Sequence, residues 1–272
     1  MLFKFYGTRG SVPVSTKNTR KHGGNTTCLY VEARSGEIII VDAGTGIREL
    51  GNELVSKRKR RLNLLFTHYH WDHIQGFPFF APVFVAGNEI IIHGPADEVA
   101  AEKALSYQMT MPYFPADMAN LPADITFKNL KKTLTIGSIE IDTIVTNHPN
   151  HTRGLKFTER KNSFAFLTDN ELHAQNGKTG YDEFVRFIRG TDLFIHDAQY
   201  TDELYEKRKG WGHSTYRQVA DLARDAGTHR FMITHHDHSS TDSFIEKNIR
   251  DIRKRCPKYK IEAAADGKTR RF

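Results

Sequence analysis

The sequence predicts an α/β layered domain in which two mixed β-sheets pack face to face with helices outside. Three observations predict it. Short apolar bursts recur through both halves of the chain. Helical patterns punctuate groups of these bursts rather than following each one. No internal repeat, low-complexity tract or Pro/Gly-rich linker divides the chain, so residues 1–272 are expected to form one domain.

Each element has its own signal. Strands are expected at 2–6, 27–32, 37–41 and 62–66, where apolar residues alternate or run briefly. A helix is expected over 46–56. Another starts near Pro95, where proline suits a first helical turn, and runs to about Gln108. In the second half, strands are expected at 133–136, 139–145, 155–158, 163–168, 192–196 and 230–234. Gly137-Ser138 and Lys161-Asn162 are turn-like breaks between them. Helices are expected over 181–188, 215–225 and 242–253, with Ser214 capping the second. Tyr107 to Pro122 breaks the pattern with three prolines, three methionines and adjacent aromatics. A lid, a subunit contact or a loop packed on the core would each account for so apolar a loop.

Composition narrows the class. Apolar residues at 39% and aromatics at 11% suit a soluble globular chain. No stretch approaches the roughly 20 apolar residues of a membrane span. The opening residues read as a strand rather than a secretion signal, so a cytoplasmic setting without membrane contact is expected. Cys28 and Cys256 form no CxxC pattern and are expected to be free thiols in a reducing compartment. The formal charge of +7 suits an anionic substrate. The densest basic run, Lys57 to Arg61, is either a phosphate-contacting patch or a solvated loop, and its lack of interleaved aromatics favours the loop.

Histidine is the informative residue, with 14 in the chain. His68, Tyr69, His70, Trp71, Asp72 and His73 follow an apolar run that should be a buried strand. In an extended chain His68 and His70 point the same way. If the chain turns into a helix at Asp72, Asp72 and His73 swing back toward the same point. Such a group beside a core needs partners, and a metal ion supplies them.

H-x-H-x-D-H is the signature of the metallo-β-lactamase superfamily, which this segment resembles at every specified position. Val41-Asp42-Ala43-Gly44-Thr45-Gly46 is similar to that family's earlier aspartate-glycine motif. His148 in Asn147-His148-Pro149, Asp169 in Leu167-Thr168-Asp169 and His235 in Ile233-Thr234-His235 resemble its later ligands. The resemblance spans nearly the whole chain and implies an αβ/βα sandwich. It implies that His68, His70 and His148 hold one ion, that Asp72, His73 and His235 hold a second, and that Asp169 bridges them. Imidazoles and carboxylates suit zinc, with manganese or iron also tolerated. Two such ions about 3.5–4 Å apart activate water and clamp an in-line displacement.

Two further segments resemble the ribonuclease Z-like phosphodiesterase branch. They are Gly212-His213-Ser214-Thr215, opening a helix, and Ile195-His196-Asp197-Ala198-Gln199-Tyr200, after a strand. The likeness implies that His213 is the general acid and Asp197 its partner, although ribonuclease Z usually carries Glu at the latter place. Asp72 joins them as a catalytic residue. No extended basic insertion matches the arm with which ribonuclease Z grips tRNA. The segments Gly7 to Ser11, Gly23 to Thr27 and Pro112 to Pro115 are more similar to small stand-alone members. Some of those hydrolyse cyclic nucleotides, including cyclic-pyrimidine immune signals. The expectation is a homodimeric phosphodiesterase acting on small nucleotides, chiefly 3′,5′-cyclic ones, with Tyr113 and Phe114 stacking on the base. The alternatives are an RNA 3′ endonuclease and a non-catalytic binding module on a hydrolase fold.

Overall fold

The computed structural model describes residues 1–95 and 99–272. In chain order the elements are β1 (Leu2–Gly7), β2 (Cys28–Glu32), β3 (Ile38–Val41), α1 (Ile47–Ser56), β4 (Arg61–Leu65), α2 (Trp71–Ile74), β5 (Glu89–Gly94), α3 (Ala101–Gln108) and β6 (Asp124–Asn129). There follow β7 (Thr133–Ile136), β8 (Ile139–Val145), β9 (Arg153–Glu159), β10 (Asn162–Leu167), α4 (Tyr181–Ile188), β11 (Leu193–Asp197), α5 (Asp202–Arg208), α6 (Tyr216–Ala226), β12 (Arg230–Thr234), α7 (Asp242–Arg255), β13 (Lys260–Ala263) and β14 (Thr269–Arg271).

They build two seven-stranded mixed sheets, β14-β1-β2-β3-β4-β5-β6 and β13-β12-β11-β10-β9-β8-β7. In the first, β3, β4, β5 and β6 run parallel. In the second, β10, β11, β12 and β13 do so. All four residues of β3 are buried, as expected of a strand covered on both faces. Its side chains alternate. Ile39 and Val41 join Phe3, Phe5, Phe157, Phe164 and Phe166 in the layer between the sheets. Ile38 and Ile40 pack outward against Ile47, Leu50 and Leu54 of α1. The outer face of the second sheet is covered by apolar residues of α4, α6 and α7. Asn63 is the buried polar residue of β4, and its side-chain amide donates to the Ile38 carbonyl at 3.1 Å.

Several expectations are corrected. Ser214 does not cap α6. Thr215 does, accepting from the Gln218 amide while the Gln218 side chain accepts from the Thr215 amide. Ser214 instead donates to the Asn170 carbonyl at 2.6 Å. The helix expected from near Pro95 begins at Ala101, and the intervening residues 96–98 lie outside the described residues. β5, β6, α5, β13 and β14 were not anticipated. β14 reads TRR and β13 KIEA, so pairing with β1 and β12 rather than local pattern makes them strands. The basic run after α1 is a solvated loop, with Lys57 paired to Glu53 and Lys59 to Glu32.

Candidate metal centre

The candidate residues gather at one edge of the sandwich, just past strand ends. From the first sheet come Asp42 after β3 and the 67–73 segment after β4. From the second come His148 after β8, Asp169 after β10, Asp197 at the end of β11 and His235 after β12. Asp42, Asp169 and His235 have φ of 61°, 54° and 53°. That left-handed backbone costs a non-glycine residue about 1–3 kcal/mol. Each of the three turns its side chain into the site, so the strain is stored where the chemistry lies.

The three histidines and the aspartate of the His68–His73 motif meet the second sheet closely. His148 Nε2 lies 3.0 Å from His70 Nδ1. Asp169 Oδ1 lies 3.9 Å from His68 Nε2 and 3.8 Å from His148 Nε2. Its other oxygen lies 3.2 Å from His73 Nε2 and 3.4 Å from His235 Nε2. Asp72 Oδ2 is 3.4 Å from His73 Nε2 and 3.2 Å from His235 Nε2. Thus His68, His70 and His148 form one group of converging donor atoms, and Asp72, His73 and His235 form another. Asp169 reaches toward both. His68, His73 and Asp169 also form a group of their own.

Outer contacts aim the rings. His148 Nδ1–H donates to the Gly212 carbonyl at 3.2 Å. His73 Nδ1–H donates to Asp42 at 2.8 Å. The Thr67 hydroxyl donates to the same Asp42 oxygen at 2.9 Å, so His68 Nδ1–H is left to donate to Thr67 Oγ1 at 3.1 Å. One buried carboxylate therefore selects the tautomer of both His68 and His73, leaving each Nε2 a lone pair. Among the described residues those two buried Nε2 atoms have no hydrogen-bond partner. Orphaned, converging imidazole nitrogens beside two carboxylates are the donor set a pair of divalent cations requires, and the residues fit such ions.

Electrostatics set the two donor groups apart. Burial lowers the pKa of His73 and His235, but the carboxylates of Asp72 and Asp169, with Asp42 at His73, outweigh it and raise both above the usual value. An ion bound there must displace their protons, whereas the first group is already neutral. Burial drives the pKa of His68 well below its usual value, lowers that of His70, and takes His148 down to about 4. Neutral imidazole is the ligating form. Burial pushes Asp72 upward, but the adjacent His73 and His235 outweigh it and hold the carboxyl well below its usual value. Asp169 behaves alike, its burial outweighed by His235, His73 and His68.

His213 converges on the same centre, its ring forming a further group of donor atoms with His148 and Asp169. Its ring lies 5.3 Å from that of His148 and stacks 5.2 Å from that of His235. Its Nδ1 is 3.3 Å from Asp197 Oδ2. Asp197 is buried and accepts from the Asn170 and Ser214 amides at 3.0 and 3.2 Å. Sequence reasoning missed the buried Arg9, whose guanidinium donates to the carbonyls of Gly23, Asp237 and Ser240. That anchorage holds the loop in which the Ser11 amide donates to Asp72 at 2.8 Å. The Gly-Thr-Arg-Gly-Ser run was the available signal.

Two clefts flank the centre. One of about 350 Å³ is lined by His68, Tyr69, Ile74, Ala104 and Tyr107. The other, of about 610 Å³, is lined by His148, Glu171, Lys178, Lys209 and Gly212. Neither Tyr113 nor Phe114 is among the residues lining these two clefts. Tyr113 is exposed, and Phe114 packs edge-on against Phe79. The 107–122 segment packs Met109, Met118 and Leu121 on the core and leaves Met111 and Tyr113 outside.

Comparison with known proteins follows the same line. The family description "Beta-lactamase superfamily domain" matches residues 37–236. A ribonuclease Z from Lactococcus lactis is 24% identical, over 86% of this chain and 88% of its own. Among solved structures, the metallo-beta-lactamase fold protein YhfI from Bacillus subtilis superposes with a TM-score of 0.72 at 17% identity, covering 99% of each chain. A diphosphatase from the PhnP family superposes with a TM-score of 0.71 at 18% identity, covering 100% of this chain and 97% of the other. The chain belongs to the Beta-lactamase superfamily domain family and folds as its two-sheet sandwich.

Proposed function

We propose that this metal-dependent phosphodiester hydrolase opens 3′,5′-cyclic nucleotides to linear monophosphates. The observation that supports this reading is the His213–Asp197 pair, whose imidazole lies against a histidine of each donor group, and a cleft with aromatic walls opens from the same centre at His68. His68, His70 and His148 would hold one divalent ion and Asp72, His73 and His235 the other, with Asp169 shared. Zinc suits these ligands best, and manganese is tolerated. When bound, such a pair of ions supplies Lewis acidity for activating water and neutralising phosphoryl charge.

The remaining work falls to the chain. Asp72 helps orient the attacking water. His213 gives its proton to the departing ribose oxygen, and Asp197 supports the charged imidazole. Tyr69 and Tyr107 offer faces on which a base stacks. The Tyr69 ring is pinned by its hydroxyl, which donates to the Pro95 carbonyl at 2.7 Å. The protein works as a cytoplasmic homodimer of one-domain chains. Among the described residues no helix is long and apolar enough to cross a membrane.

A panel of cyclic nucleotides incubated with the zinc- or manganese-loaded protein tests the reading, with product identification. Linear monophosphates are expected. No turnover of any base by metal-loaded protein would refute it. The likeness to ribonuclease Z over most of both chains supports a second reading, cleavage of RNA 3′ ends, which the same assay tests with tRNA precursors.

A further inference from the structure

We propose that Glu171 is a positioning residue that governs leaving-group protonation by holding the loop that carries His213. The inference rests on the reading of His213 as general acid. Glu171 is buried and lies two residues past Asp169. Its carboxylate accepts from the Gly210 amide, at 3.0 and 2.9 Å to its two oxygens, and from the Gly212 amide at 3.1 Å. It also accepts from the Tyr205 hydroxyl at 2.9 Å. All three donors belong to α5 and the turn after it, immediately before His213.

That turn needs an anchor. Gly210 and Gly212 have φ of 85° and 87°, so the loop is built from the residues with the most conformational freedom to lose. It also borders the larger cleft, where water would compete for its amides. Gly212 is fixed on both sides. Its N–H is held by Glu171, and its carbonyl accepts from His148 Nδ1 at 3.2 Å. A Cβ there would lie 2.0 Å from that same nitrogen, so no other residue allows the close approach. The next Cα carries the His213 ring. Glu171 thus sets where His213 stands, and its carboxylate bonds to Tyr205, Gly210 and Gly212 rather than to a ligand atom.

Leaving-group dependence tests this. Rates are compared on an unactivated nucleotide diester (a 3′,5′-cyclic nucleotide, with a ribodinucleotide beside it) and on bis(p-nitrophenyl) phosphate, whose phenolate departs with little need of a proton. Metal content and circular dichroism are checked for every variant. His213→Ala should lose roughly 10²–10⁴-fold on the nucleotide and far less on the aryl ester. Glu171→Ala should lose about 10–100-fold on the nucleotide, the scale for an outer-shell partner, and several-fold less on the aryl ester. Glu171→Gln should recover part of the loss, because its carbonyl can accept both glycine amides and its NH₂ can donate to Tyr205, although that NH₂ then faces the Gly210 N–H where the wild-type oxygen accepts at 3.0 Å. Should Glu171→Ala not fold, Tyr205→Phe removes one donor and should skew the rates the same way, more weakly. Equal losses on both substrates at position 171 with metals retained, or Gln as damaged as Ala, overturn the proposal. Equal losses for His213→Ala instead overturn the general-acid reading on which it stands.

Discussion

Replacing Asp42 by Asn should weaken metal binding at both positions while leaving the fold standing. The wild-type carboxylate accepts three hydrogen bonds, from the Thr67 amide at 2.8 Å, the Thr67 hydroxyl at 2.9 Å and His73 Nδ1–H at 2.8 Å. An Asn that keeps its oxygen on the Thr67 amide must turn its NH₂ toward the other two. The Thr67 hydroxyl then donates to His68, and both His68 and His73 carry their proton on Nε2, the wrong nitrogen for ligation. The opposite amide orientation keeps the tautomers but sets NH₂ against the backbone N–H of Thr67, leaving buried donors unpaired at about 1–3 kcal/mol each. Either way the expected loss is about 10–100-fold in affinity per ion, or roughly 1.4–2.7 kcal/mol. Metal content after equilibrium dialysis against buffered zinc or manganese measures this, with thermal unfolding as the fold control. An Asp42→Asn variant that retains two ions at wild-type affinity would refute the tautomer argument.

Further perturbations separate the parts of the site. Tyr107→Ala should raise KM for nucleotides about 5–100-fold, the scale of one lost stacking contact, with kcat little changed in steady-state kinetics. Gly212→Ala should lower kcat and weaken metal retention together, because its Cβ would fall 2.0 Å from His148 Nδ1; unchanged metal content would contradict that geometry. Chelation should abolish turnover and lower Tm, since ions bound only by the folded chain stabilise it by about 2.7 kcal/mol at a hundredfold excess over Kd. Calorimetry with and without chelator reads the shift.

The donor cluster was legible because ligation demands particular side chains, and alternation in an extended chain already aligns His68 with His70. The strand–helix framework followed from apolar runs such as 62–66, whose pattern agrees with the burial of Leu62, Leu64 and Phe66. What stayed hidden depends on contacts distant in sequence. β13 and β14 are polar strands that exist through their neighbours. Ser214 and Thr215 are equally good caps on paper, and only the Asn170 carbonyl, which claims the Ser214 hydroxyl, decides between them. Tyr113 looked like a stacking residue by its chemistry, yet Tyr69 and Tyr107 line the cleft. Glu171 carries no motif, and nothing in its spacing tells a loop anchor from a surface acid.

Each donor group draws two residues from the first sheet and one from the second. His68 and His70 await His148, while Asp72 and His73 await His235. Neither half of the sandwich can therefore capture an ion tightly alone. On the proposed ligand assignment, metal acquisition would be a late event in the life of the chain, possible only after the aromatic layer between the sheets has closed. Once taken up, the ions would act as a clasp across the rim of the sandwich. Exchange of backbone amides in the two sets of rim loops should then slow in concert on loading, although the loops lie far apart in sequence.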